Sequence, residues 1–348
     1  MAARRVGIVG ASGFTGAELL RLLAGHPEMD VVLATGDSQA RTTVAELYPS
    51  LAAAYPDLTY EAWRPGLADE LGLDVVFLGL PHGTSQPIVA EVHDGTRLVV
   101  DLGADFRLKD ASLYPRWYGA EHTVPELLPA AVYGLPELFR ADLVGATLIA
   151  TPGCYVTTAT LALAPLLAAG LVEPTGLVVD AASGVSGAGR PPKPTNTFNA
   201  VDENFVAYGM LDHRHTPEIE QNLTRVAGTD VQVLFTPHLA PMNRGILATC
   251  YARPTAPVTT DEARDVLRKA YAEEPFVVVT DEPPSTKATL GSNTVHVTAY
   301  ADERTGWVVA LAALDNLTKG ASGGALQAAN VALGIPEATG LSVAGVYP

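Results

Sequence analysis

Arg5-Val-Gly-Ile-Val-Gly10-Ala-Ser-Gly13-Phe-Thr-Gly16-Ala-Glu-Leu-Leu20 decides the fold class of this 348-residue chain. A short β-branched run passes straight into three glycines, and the glycines open a helical pattern. Leu19, Leu20, Leu22 and Leu23 share one apolar helix face, and Gly25 and Pro27 end the helix. Glycine at such a turn lets the backbone approach a diphosphate, while the helix start offers N–H groups without intrahelical acceptors and a positive partial charge. The spacing is GxxGxxG rather than GxGxxG. It is therefore the strand-turn-helix context that marks Gly10, Ser12, Gly13, Phe14, Thr15 and Gly16 as dinucleotide contacts, with a plain packing turn as the alternative.

Outward from this stretch, strands are expected at Val31–Ala34, Val75–Leu80 and Leu98–Leu102, separated by helical patterns. That alternation predicts βαβ units on a mostly parallel, doubly wound (Rossmann-type) sheet. The end of the second strand leaves the nucleotide choice open. Asp37 argues for NAD, whereas Ser38 and Arg41 admit a 2′-phosphate and argue for NADP.

Past residue 180 the texture changes. Ser183–Thr197 is rich in Gly, Pro and Ser, and longer strands follow at Val231–Thr236, Ile246–Ala252, Phe276–Thr280, Thr294–Tyr300 and Trp307–Leu314. With one helix at Asp261–Ala272 among them, they predict an α+β domain on a mainly antiparallel sheet. The expected division is residues 1–153, residues 154–316, and a C-terminal stretch 317–348 whose helix, Ser322–Leu333, packs back on the first domain. A chain of this length is more than one core usually fills.

Composition excludes several classes. The formal net charge of −16 argues against nucleic acid and acidic membranes. Between Asp142 and Glu173 no residue is charged, long enough for a membrane span, yet Pro152, Gly153, Pro165 and several threonines break it. It reads as a buried strand followed by a buried helix. No export signal is read at the N-terminus, which places the chain in the cytoplasm with its thiols reduced. Two cysteines make neither a disulfide framework nor a thiolate zinc site, and no metal is expected.

Chemistry concentrates at four places. Cys154 opens a helical run, Tyr155–Ala164, after the turn Thr151-Pro-Gly153; a helix start stabilises a thiolate, and nearby N–H groups can hold an oxyanion. A small buried hydrophobe is the bland alternative, and the better one for mid-strand Cys250. His213-Arg-His215-Thr-Pro-Glu218 delivers imidazoles at a helix entry, with Thr216 as expected N-cap and Pro217 as first helical residue. Pro81 and His82 follow the third strand, where loops meet ligands. Arg107 ends Asp101-Leu-Gly-Ala-Asp105-Phe-Arg, either as an anion fork or as an ion-pair partner of Asp105. Gly320-Ala-Ser322-Gly-Gly324 imitates a nucleophile elbow, but no His or Asp follows Ser322 to complete a triad.

Eight strings, in this order, resemble the N-acetyl-gamma-glutamyl-phosphate reductase family. They are Gly10-Ala-Ser-Gly-Phe-Thr-Gly, Leu80-Pro-His-Gly, Asp101-Leu-Gly-Ala-Asp-Phe-Arg, Tyr133-Gly-Leu-Pro-Glu-Leu, Pro152-Gly-Cys-Tyr, Ser183-Gly-Val-Ser-Gly-Ala-Gly-Arg, His213-Arg-His-Thr-Pro-Glu-Ile and Asp315-Asn-Leu-Thr-Lys-Gly. The resemblance implies an NADP-dependent reductase of an acyl phosphate in arginine synthesis, releasing phosphate and acting as a homodimer or homotetramer. It implies Cys154 as nucleophile, His215 as acid/base with His213 in reserve, and Glu218 to orient the imidazole. Arg107, Tyr208, Ser183, Arg190, His213 and Glu218 would line the substrate site. Ser38, Pro81, His82, Gly187 and Asn316 would join the glycine turn around the cofactor. Asp37 departs from the basic residue of many relatives. An aminoadipate-type reductase of lysine synthesis and a non-catalytic dinucleotide sensor are the rival readings.

Overall fold

The computed structural model describes residues 3–347. The chain forms two compact units: residues up to Pro152 with Ala321–Leu341, and Gly153–Gly320 with the residues from Ser342 on.

In the first unit β1 (Arg4–Val9) feeds α1 (Phe14–Leu23). Then come β2 (Met29–Ala34), β3 (Val75–Leu78), α2 (Ser85–Val92), β4 (Leu98–Asp101), β5 (Val132–Tyr133), α3 (Pro136–Leu143) and β6 (Leu148–Ala150). The strands form a six-stranded sheet ordered β2-β1-β3-β4-β6-β5, every pair parallel. Successive residues of a strand point to opposite faces, so β3 splits itself between two cores. Val75 and Phe77 pack with Val6, Ile8 and the leucines of α1, whereas Val76 and Leu78 pack with Val89 and Val92 of α2. Coverage on both faces is what makes these strands continuously apolar rather than alternating. Each large side chain so buried contributes about 1.5–3 kcal/mol.

The helix Gly323–Ala332 joins the first of these cores through Ala325, Leu326, Ala328 and Ala329. Its alanines permit close approach to the sheet. The last segment does not stay with it: Asn293 N–H donates to Ser342 C=O at 2.8 Å and Val346 N–H to Leu290 C=O at 2.7 Å, within the second unit. The C-terminal stretch 317–348 is thus shared between the units.

The second unit starts with α4 (Cys154–Ala168). It continues through β7 (Leu177–Ser183), β8 (Val206–Ala207), α5 (Thr216–Ala227), β9 (Val233–Leu239), β10 (Ile246–Ala252), α6 (Thr260–Ala270), β11 (Val277–Val279), β12 (Val295–Asp302) and β13 (Trp307–Leu314). The seven-stranded sheet runs β11-β12-β13-β10-β7-β9-β8. It is antiparallel except at β11–β12 and β7–β9. In β10 the residues Ile246, Ala248, Cys250 and Ala252 are buried and their neighbours partly exposed, the period of a sheet covered on one face.

Two local expectations change. The helix carrying Cys154 runs four residues past Ala164, straight through Pro165. Proline cannot donate to Leu161 C=O, and the Tyr271 hydroxyl donates there instead, at 2.7 Å. No helix of the described residues is long and apolar enough to cross a membrane. The entry to α5 also shifts by one residue: His215, not Thr216, is the N-cap, and Thr216 and Pro217 are its first two helical residues. The His213 ring causes this. Its Nδ1 accepts from His215 N–H at 3.2 Å while Thr216 N–H donates to His213 C=O at 2.9 Å, so the chain turns early.

Candidate active site

The glycine turn between β1 and α1 is shaped by contacts that tolerate no side chain. Gly10 has φ +83°, and a Cβ there would lie 2.5 Å from Gly79 C=O. A Cβ on Gly16 would collide with the Ala11 backbone. Gly13 is the N-cap of α1, with no side-chain cap and no acidic residue in the first turn. The N-terminal N–H groups are thus left for an external acceptor, which fits a diphosphate. Gly36 lies against Ser12, where a Cβ would come within 2.7 Å of its Oγ. This puts the end of β2, and with it exposed Asp37 and Ser38, beside the turn. Asp37 begins a short 3-10 turn and accepts from Trp63 N–H at 3.3 Å.

Gly79 also abuts Thr15, placing the following loop, with Pro81 and His82, beside the glycine turn. A single buried carboxylate organises this loop. Asp105 is fully buried, pairs with His82 Nδ1 at 2.5 Å, and accepts from Gly83 N–H at 2.7 Å and Ser85 N–H at 3.0 Å. Burial opposes its ionisation, but the His82 contact and the backbone donors outweigh it and hold the carboxyl below its ordinary range. Asp105 thus faces His82 and the backbone of the loop that follows it. Arg107 is buried and donates through Nη2 to Leu102 C=O at 2.9 Å. Asp101, at the end of β4, is pushed up to about 7, chiefly by burial and then by the charge of Asp105. Ser322 is no nucleophile: its buried hydroxyl donates to Thr15 C=O at 2.7 Å.

In the second unit Cys154 is the first residue of α4, half-buried, with Gly153 as N-cap. His215 covers this turn: a Cβ on Gly153 would lie 2.4 Å from its Nε2. Gly153 N–H donates to Glu218 Oε1 at 2.9 Å. Glu218 is fully buried and, through this bond, braces the turn that bears the thiol. The His213 and His215 rings lie 4.7 Å apart, and both meet the edge or face of Tyr155. Burial, then the charge of Arg214, pushes His213 down to about 4, which keeps it neutral near pH 7.

Tyr155 was not singled out from the sequence, although it completes the Pro-Gly-Cys-Tyr string. The Tyr208 hydroxyl donates to the Tyr155 hydroxyl at 3.1 Å, and the latter donates to His238 C=O at 2.9 Å. Ser183, the last residue of β7, also reaches the Tyr155 hydroxyl. Cys154, Ser183, Tyr208, His213, His215 and Glu218 therefore gather around Tyr155 and the Gly153–Cys154 turn. Gly187 and Asn316 meet a short distance away. A Cβ on Gly187 would lie 3.0 Å from Ser183 Oγ and 3.8 Å from Asn316 Nδ2. The Asn316 amide is engaged with protein: its Oδ1 accepts from Gly245 N–H at 2.7 Å and its Nδ2 donates to Ser186 Oγ at 3.0 Å. Arg190 sits half-buried just past Gly189. Cys250 is fully buried in β10, its thiol pushed up by burial, and has none of these neighbours.

The matched family models follow the same division. Residues 5–146 match the semialdehyde dehydrogenase NAD binding domain, and residues 154–316 the semialdehyde dehydrogenase dimerisation domain. Solved structures share the fold across nearly the whole chain. Aspartate semialdehyde dehydrogenase II from Vibrio cholerae and aspartate semialdehyde dehydrogenase with NADP from Candida albicans each align with TM-score 0.70 over 95% of this chain and 98% of theirs, at 15% and 16% identity. Fold and site thus define a two-domain protein of the semialdehyde dehydrogenase class. Among the curated relatives, N-acetyl-gamma-glutamyl-phosphate reductases from Acidothermus cellulolyticus and Desulforudis audaxviator are 51% and 50% identical over 99% of both chains. The chain belongs to the N-acetyl-gamma-glutamyl-phosphate reductase family.

Proposed function

We propose that this protein reduces N-acetyl-gamma-glutamyl phosphate to N-acetyl-L-glutamate 5-semialdehyde, with release of phosphate, as the reductive step of arginine synthesis in the cytoplasm. The observation that carries the chemistry is the stacking of His215 on Gly153, immediately before Cys154 at the start of a buried helix. The Cys154 thiolate attacks the acyl carbon, phosphate leaves, and a thioester remains. NADPH, when bound, supplies the hydride that takes the thioester to a thiohemiacetal. His215 delivers a proton to the developing charge on the carbonyl oxygen and withdraws it as the carbon–sulfur bond breaks. His213, held neutral, keeps the ring pair from repelling a second positive charge. Apolar walls around α4 exclude the water that would hydrolyse the thioester.

The Gly10–Gly16 turn, with Ser38, Pro81 and His82, holds the dinucleotide; its open helix start favours a diphosphate despite the net charge of −16. The dimerisation domain named by the family model supports a homodimer or homotetramer. The test is a steady-state assay of N-acetylglutamate semialdehyde against its one-carbon-longer and non-acetylated analogues, each with NADP and NAD. The proposal expects the acetylated five-carbon substrate with NADP to lead in kcat/KM. A lead by the longer analogue would move the protein to lysine synthesis, and no turnover with any would leave a dinucleotide sensor.

A further inference from the structure

Asp315 is fully buried, yet no family string or sequence pattern gave it a task of its own. Its Oδ1 accepts from Arg244 Nε at 3.1 Å, Arg244 Nη2 at 2.9 Å, Leu317 N–H at 2.9 Å and Thr318 N–H at 3.1 Å. Its Oδ2 accepts from Gly291 N–H at 2.7 Å. Gly320 N–H closes the turn onto Asp315 C=O at 3.0 Å. The chain from 315 to 320 is therefore wound around one carboxylate, and Thr318–Ser322 forms a π-helical turn, a rare geometry often found at functional sites.

This turn ends against the thiol-bearing residue. A Cβ on Gly320 would lie 2.9 Å from Cys154 Cβ and 3.3 Å from Cys154 Cα. The other side of the hub leads to the same place. Arg244 Nη2 also donates to Thr318 Oγ1 at 2.9 Å, and Gly245 N–H is tied to Asn316, which holds Ser186. Ser186 N–H donates to Asn243 C=O at 3.1 Å, and Gly184 N–H to Gly245 C=O at 2.9 Å. These bonds fasten the loop after Ser183, the residue that reaches Tyr155. A pair of a buried carboxylate with a half-buried guanidinium is weak evidence of a stabilising device, because a well-packed apolar pair serves as well; what it supplies is fixed geometry.

We propose that Asp315 is a positioning residue for Cys154. Through the turn 315–320 it presses Gly320 against the cysteine and confines the sulfur to the attacking rotamer, and through Arg244 and Asn316 it holds the facing loop. The inference rests on Cys154 being the reacting thiol.

The test uses the full chain. Asp315→Asn should lower kcat and the pH-dependent rate of iodoacetamide alkylation at Cys154 by about 10- to 100-fold. Adding Arg244→Gln removes the stranded charge, so Asp315→Asn/Arg244→Gln should regain thermal stability while staying slow in both assays. Gly320→Ala, with Asp315 intact, should reproduce the slow alkylation by crowding Cys154 directly. Alkylation and turnover that recover together with stability in the double variant would reduce Asp315 to a structural role. So would a Gly320→Ala profile that overlays the wild type. If alkylating wild-type Cys154 leaves turnover intact, the nucleophile assignment itself fails, and that outcome is read before any Asp315 variant is made.

Discussion

Two helix starts in this chain are built alike and do different things. At α1 and at α4 a strand leads into a glycine-containing turn. A glycine in extended conformation serves as N-cap in both, with no cap from its own side chain and no acid in the first turn. The first start is left open beside other loops of a parallel sheet. The second is covered by His215 and braced by Glu218, both from the entry of α5. The same orphan N–H groups thus suit a diphosphate in one place and a thiolate in the other. What surrounds a helix start, not the start itself, selects its chemistry.

The sharpest way to break the comparison is to remove the thiol. Cys154→Ser should lower phosphate-dependent NADP reduction by roughly 10³-fold or more while NADP binding persists. Cys250→Ser serves as the control and should change kcat little. Comparable loss in both would mean that the two thiols are not distinguished by their helix or strand setting.

Next in size is Gly153→Ala. The added methyl displaces the His215 imidazole, and a misplacement of this kind costs about 10²-fold in rate. NADP affinity should hold, as measured by fluorescence titration. The matching change at the other turn, Gly10→Ala, meets Gly79 C=O and a positive φ. It should raise the KM for NADPH by about 10-fold and destabilise by about 1–3 kcal/mol, with iodoacetamide labelling of Cys154 unaffected. If either glycine variant disturbs both functions equally, the two helix starts are not separable.

The smallest effect concerns buried charge near the first turn. Asp101 titrates near 7 in the folded chain, above its unfolded value, because of burial and Asp105. Its contribution to stability is complete below about pH 4 and is lost as pH rises through 7. Asp101→Asn should therefore melt a few degrees above wild type at pH 8 and lose that advantage at pH 5. Melting curves with the same offset at both pH values would refute the assignment.

The legible part of the site is the part written in adjacent residues. Gly10 to Gly16, Pro152 to Tyr155 and His213 to Glu218 each deliver several groups within one turn, so spacing alone exposes them. Asp105 lies within Asp101–Arg107, yet its partners His82, Gly83 and Ser85 are some twenty residues away and leave no local signal. Arg244 could have been noticed as a cation in the Pro241–Gly245 turn before a strand. Its tie to Asp315, 71 residues later, carries no local signal. The α5 entry was misplaced for the same reason on a smaller scale: a side chain of the preceding turn, not the N-cap preference of Thr216, set where the helix begins.

By itself the sequence determined the two-part architecture, the parallel sheet of the first unit and both helix starts. All of these rest on short-range periodicity and steric rules that act along the chain. Only the tertiary structure decided which acceptor each buried donor found. It set Glu218 under Gly153, Tyr271 on the carbonyl freed by Pro165, Asp105 on His82 and Asp315 at the centre of a turn that presses on Cys154. The physical reason is the cost of leaving a buried polar group unpaired, which the folded chain meets with whatever group lies nearest in space.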